Sequence, residues 1–123
     1  MQYLLVFIGG GAGSICRYAI QHWLAKYHFT FPWATFAANA LSCIIFGAVA
    51  ALALKGMVSV PHRMLLLTGF CGGFSTFSTF SNETFVLLSN HQWEAAFANI
   101  VGSLLVCLFC IYLGMKIIAL TID

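Results

Sequence analysis

The residues able to do chemistry in this sequence are polar side chains set within long apolar runs, and the densest group lies at Gly69-Phe70-Cys71-Gly72-Gly73-Phe74-Ser75-Thr76-Phe77-Ser78-Thr79-Phe80-Ser81. Phe74, Phe77 and Phe80 recur at a three-residue step, as do Thr76 with Thr79 and Ser75 with Ser78 and Ser81. On a helix of 3.6 residues per turn such rows drift slowly, so hydroxyls reach most faces and little is gained by facing lipid. Hydroxyls donate hydrogen bonds to anions, and aromatic edges carry the positive part of the ring quadrupole, while ring faces favour cations. The stretch suits a dehydrated ion path inside an assembly. Glycines at 69, 72 and 73 lower helix propensity and predict a helix broken near the membrane midplane. Non-helical backbone at that depth must be buried in protein or line a cavity, and its freed carbonyl and N–H groups are then available to ions.

Other costly polar residues flank this stretch. Arg17 lies about two thirds along the first apolar run, where an arginine costs roughly 2.5 to 3.5 kcal/mol. It either snorkels towards Lys26 or stands as a fixed positive charge at a water-filled vestibule. Asn39 and Ser42 share one helix face, as do Asn99 and Ser103. Each pair makes interhelical hydrogen bonds or presents donors to a permeating ion. Glu83, four residues beyond Thr79, is a solvated helix-end charge, a partner for a base, or a proton-binding group. Gly9-x-x-x-Gly13 reads as a packing face, because a dinucleotide site would need a preceding strand and a soluble crevice. Cys16, Cys43, Cys71, Cys107 and Cys110 all fall within apolar runs and read as small buried hydrophobes. Cys107-x-x-Cys110 lies in mid-run, whereas redox pairs of that spacing occupy an accessible helix start.

The elements that carry these residues follow from composition. The chain has 123 residues, 62% apolar and 7% charged, against roughly 25% charged in a soluble domain. Its mean hydropathy is +0.98. Such a chain cannot cover a water-facing surface, which excludes a soluble enzyme, a disordered chain and a nucleic-acid binder. At about 20 residues per helix, four transmembrane helices fit, over about 4–27, 33–54, 63–89 and 95–120, and form one all-α membrane domain. Pro32 suits a helix start and Trp33 the interface belt. No signal peptide is expected, because Met1-Gln2-Tyr3 lacks a basic leader. Lys55, Arg63 and Lys116 fall on one side of the membrane and Lys26 on the other, a weak orientation signal compatible with insertion either way.

These stretches together resemble the Fluc (CrcB) family of fluoride channels: the glycine-rich first helix leading to Arg17-Tyr18, the segment from Pro32 to Asn39, and Gly69 to Glu83. The resemblance implies a fluoride-selective channel of the bacterial inner membrane that passively exports fluoride and lowers its toxicity. It implies an antiparallel homodimer whose two copies insert in opposite orientations and hold two pores. By the same resemblance, Phe77 and Phe80 are the aromatic pair of the pore and Asn39 its polar residue on the second helix. Ser78 and Thr79 belong to the hydroxyl track, with Ser103 contributing from the fourth helix. Arg17 and Glu83 match charged positions tied to the entrance and to anion handling. A structural sodium ion is implied at the dimer centre, held by backbone oxygens of Gly72 and Ser75 from both subunits. The chain departs from the family pattern in having Ser75 for threonine, where either supplies a carbonyl, and Pro32-Trp33-Ala34-Thr35 for Pro-x-Gly-Thr.

Acid chemistry explains why a passive path suffices. Hydrogen fluoride crosses bilayers neutral and ionises in a less acidic cytoplasm, and a negative-inside potential drives the anion out with roughly 2.3 kcal/mol per 100 mV. A small multidrug-type proton-coupled exporter would need a carboxylate deep in its first helix, where this chain has Arg17. A non-conducting scaffold subunit would account for small-residue packing but not for the glycine break and the three-row repeat.

Overall fold

The computed structural model describes Met1–Ile122. The chain is all-helical, with no strand among the described residues: α1 (Gln2–Ala25), α2 (Trp33–Leu54), a third region in pieces, and α6 (Trp93–Ile122). The third region comprises α3 (Val60–Arg63), a π-helical segment (Met64–Cys71), α4 (Gly72–Phe74) and α5 (Phe77–Ser89). Among the described residues α1, α2 and α6 are long and apolar enough to cross a membrane. None of the four pieces of the third region alone reaches the roughly 20 residues a spanning helix needs, so the region acts as a jointed unit.

Local chemistry sets the boundaries. Pro32 is the N-cap of α2, and Phe31, Trp33 and Phe36 pack as an aromatic cluster with centroids 4.6–5.8 Å apart. At its other end Gly56 takes φ +72°, which lets the N–H groups of Gly56 and Met57 return to the carbonyls of Ala53 and Leu52. That pairing satisfies two terminal carbonyls. The same device ends α5, with His91 in the left-handed position and Gln92 N–H on Leu87. Helix α1 starts two residues before the expected span and ends two residues short of it at Ala25, while α6 extends two residues beyond its expected span at each end.

Two helix pairs build the bundle: α1 lies along the π-helical segment and α4, and α2 lies along α6. Both seams bring backbone against backbone. A Cβ on Gly9 would stand 2.1 Å from the Leu65 carbonyl oxygen, one on Gly13 2.1 Å from that of Phe70, and one on Gly73 2.2 Å from that of Gly10. Across the other seam, Gly47 meets Ile111 and Gly114 meets Ile44 at 2.2 and 2.1 Å by the same measure. Close approach of small residues is how helices associate where lipid removes the hydrophobic drive. The buried apolar residues are mostly small, including Ala38, Ala51, Ala96, Cys71 and Cys110, while large side chains such as Phe7, Phe85 and Phe109 point outwards. Water would penalise that arrangement; a lipid surround does not.

Candidate functional site: a groove at the interrupted third helix

Helix α4 stops at Phe74. Ser75 (φ −78°, ψ 155°) and Thr76 (φ −149°, ψ 122°) are extended, and α5 restarts at Phe77. Gly69, Gly72 and Gly73 are themselves helical. Gly69 and Gly73 are needed small for contact with α1, and the interruption falls just beyond them.

An interruption frees backbone groups, and α2 supplies partners for them. The Thr76 N–H donates to Asn39 Oδ1 at 2.8 Å, and Asn39 Nδ2 donates back to the Thr76 carbonyl at 3.4 Å. Asn39 thus clasps both backbone polar groups of one residue, as a neighbouring strand would. One turn on, Ser42 Oγ donates to the Cys71 carbonyl at 3.1 Å, which also accepts from Ser75 N (3.0 Å) and Ser75 Oγ (2.8 Å). Thr76 Oγ1 accepts from Thr79 N at 3.2 Å and so caps α5. Diverting Thr76 N–H to Asn39 takes from the Gly72 carbonyl the donor that a continuous α-helix would give it. The Gly73 carbonyl accepts instead from Arg17 Nε at 3.0 Å. Arg17 is therefore turned inwards to the joint, and its positive charge sits against the carbonyl end of the helix formed by α3, the π-helical segment and α4.

Beside the joint lies a groove of about 400 Å³ between α2, α5 and α6. It gathers Asn39, Ser75, Phe77, Phe80 and Ser103 on one surface, together with Thr76 and an apolar wall of Ile100 and Leu104. The Phe77 and Phe80 rings are 5.9 Å apart and tilted by 33°. Phe77 is 79% exposed, so one side of this surface is open. Ser78 is exposed and Thr79 half-buried; neither lines the groove. Gly72 has open space where a Cβ would stand.

Two further constellations hold α5 in place, and the sequence pattern marks only part of each. The Thr35 hydroxyl, 2% exposed, donates to Glu83 Oε1, joining the start of α2 to the middle of α5. Glu83 faces a second recess of about 360 Å³ near the chain turns, lined also by Phe29, Thr30, Asn90 and Gln92. On the α6 side, Asn99 Nδ2 donates to Thr84 Oγ1 (2.9 Å), Thr84 donates to the Phe80 carbonyl (2.8 Å), and Ser103 donates to Asn99 Oδ1 (3.2 Å). Asn99 is 1% exposed, and this chain fixes Phe80 through its backbone. Thr35 and Thr84 were missed because their partners are set by which helices become neighbours. The i, i+4 spacing of Phe80 and Thr84 was the one local signal.

Residues 4–115 match the CrcB-like protein (Camphor Resistance, CrcB) family. The chain is 41% identical over 113 residues to the fluoride-specific ion channel FluC of Phocaeicola vulgatus, an alignment covering 91% of this chain and 93% of that one. It is 40% identical over 125 residues to the protein of the same name from Methylobacillus flagellatus (99% and 98% covered), and 45% identical over 111 residues to that from Pyrococcus horikoshii (89% of each). With the match running from the start of α1 well into α6, and so through every element that builds the groove, the chain belongs to the CrcB-like family.

Proposed function

We propose that this chain forms a fluoride-selective channel through which cytoplasmic fluoride leaves passively, in the inner membrane of a bacterial cell. The observation that carries the reading is the groove, which brings the Phe77 and Phe80 rings and the Asn39 amide to one surface of a membrane-spanning helix assembly. The relatives' shared name supplies the identity of the ion. Fluoride is small and strongly hydrated, so a path for it must replace water with directed donors. Asn39 spends one amide hydrogen on Thr76 and has a second to offer. Phe77 and Phe80 contribute ring edges, whose positive rim favours an anion. Arg17, held at the joint, raises the local positive potential, and Glu83 with the exposed Ser78 and the partly buried Thr79 serves the approach to the groove.

The working unit is a homodimer of oppositely inserted copies. The 79% exposure of Phe77 and the open space at Gly72 support it, since one copy leaves the groove unclosed. The thin charge asymmetry, with Lys55, Arg63 and Lys116 against Lys26, supports insertion in both senses. A structural sodium ion fits the donor set at the joint. The Gly72 carbonyl has lost its helical donor to Asn39, and Ser75 is extended, so both offer hard backbone oxygens. Two oxygens from one chain are too few for a hard cation, and the same two from a second copy make a symmetric set. When bound, the ion would cross-link the two joints electrostatically.

In a bacterial strain lacking its own fluoride exporter, expression of this chain is expected to restore growth on fluoride medium, and a Phe77→Ala, Phe80→Ala double variant is not. Failure of the unaltered chain to protect, despite its presence in the membrane, would overturn the proposal.

A further inference from the structure

Two lysines reach the same depth of the membrane from different helices. Lys55 closes α2, which Trp33 opens, and Lys116 lies towards the end of α6, which Trp93 opens. At 1.5 Å per residue each lysine stands about 33 to 35 Å from its tryptophan, just beyond the roughly 30 Å hydrocarbon core and level with the headgroups. Between the ends of the two helices lies a cleft of about 350 Å³ lined by both lysines. Ala51 and Ala119 leave room there because they are small, and Leu54 and Tyr112 supply apolar wall. Leu54 is 80% and Tyr112 59% exposed, so the cleft opens towards lipid. Among the described residues no carboxylate lines it. Lys55 is the C-cap of α2, where a cation offsets the carbonyl end of the helix. Lys116 lies more than a turn before Ile122, beyond the reach of that effect, so its place beside Lys55 needs another account.

We propose that this cleft binds an anionic phospholipid, with its phosphate between the two ammonium groups and the start of an acyl chain against Leu54 and Tyr112. Basic recesses between membrane helices at headgroup depth recognise anionic lipids through charge. An inorganic anion would meet the lysines but leave the apolar wall uncovered. A second copy of the chain seated there would have to bury two ammonium groups, which is costly without paired acids. An anionic lipid meets both demands: its head stays in the wet headgroup layer with the lysines, and its chain covers Leu54 and Tyr112. The claim stands apart from the ion that passes the groove beside Asn39.

The test adds phosphatidylglycerol to the purified full chain in detergent and counts bound lipid by native mass spectrometry, with phosphatidylcholine as the comparison of no net charge. Phosphatidylglycerol should be retained in preference to phosphatidylcholine. Lys55→Gln and Lys116→Gln should each weaken its binding about 5-fold, since a basic residue near the surface is worth about 1 kcal/mol towards anionic lipid. Lys26→Gln, on the opposite side of the membrane, should bind like the parent. Ala119→Phe keeps both charges but fills the cleft, so it should also expel the lipid. Inorganic phosphate at equal concentration should not displace it. Equal retention of the two lipids, unchanged binding in both lysine variants or in Ala119→Phe, or displacement by inorganic phosphate would overturn the proposal. So would lysine variants that change the oligomeric state while holding lipid as before, which would assign the cleft to a second copy.

Discussion

Replacing Asn39 with alanine should release the extended peptide at Thr76 and slow fluoride movement through the groove. Two hydrogen bonds are lost, one of ordinary length at 2.8 Å and one long at 3.4 Å. Leaving a buried donor unpaired costs about 1 to 3 kcal/mol, and the longer bond adds roughly 0.5 kcal/mol. With some water admitted by the groove, the sum is about 1.5 to 3 kcal/mol against the clasped form, or roughly 10- to 150-fold in its opening equilibrium. Hydrogen exchange at the Thr76 amide should accelerate by that factor, and efflux from vesicles should fall at the same time. Asn39→Asp separates the two duties of the side chain: a carboxylate still accepts from Thr76 N–H, so exchange stays slow, while its charge repels the anion and efflux falls. Unchanged Thr76 exchange in Asn39→Ala, with efflux lost, would refute the bracing argument and leave Asn39 as a donor to the ion only.

Other perturbations follow from the same geometry. Gly13→Ala places a methyl 2.1 Å from the Phe70 carbonyl oxygen and should destabilise the α1 seam by about 1 to 3 kcal/mol in denaturant titrations, whereas Gly72→Ala meets open space within the chain and should leave that stability unchanged. Asn99→Leu removes the link between Thr84 and Ser103 and should cost about 2 to 4 kcal/mol; a shift of under about 1 kcal/mol would show that the chain of bonds does not fix α5. If sodium joins the Gly72 and Ser75 carbonyls of two copies, replacing sodium by a large organic cation should weaken the dimer in detergent. Identical dimer dissociation in both salts would remove the ion from the account.

Much of the architecture was legible because apolar runs separated by polar turns leave a membrane chain few choices. The span over 33–54 matches α2 (Trp33–Leu54), whose start Pro32 and end Lys55-Gly56 are strong local signals. The joint in the third region was only partly legible. The glycines there predict conformational weakness, yet Gly69 and Gly73 stay helical because α1 presses on them, and the extended residues are Ser75 and Thr76. Asn39, which clasps Thr76, comes from another helix, and no local pattern predicts that meeting. The π-helical turn from Met64 to Cys71 had no sequence signature. Arg17 carried two readings, and neither foresaw its bond to the Gly73 carbonyl. Asn39, Phe77, Phe80 and Ser103 do share one surface, because each lies on the helix face that α2, α5 and α6 turn towards one another.

The central claim is selective fluoride conduction, and reconstitution in liposomes tests it most directly. Vesicles loaded with fluoride or with chloride are given a potassium ionophore, and efflux is followed with ion-specific electrodes. Rapid fluoride efflux with chloride retained is the predicted result. No fluoride efflux from protein shown to be folded and dimeric, or equal efflux of both ions, would contradict the account.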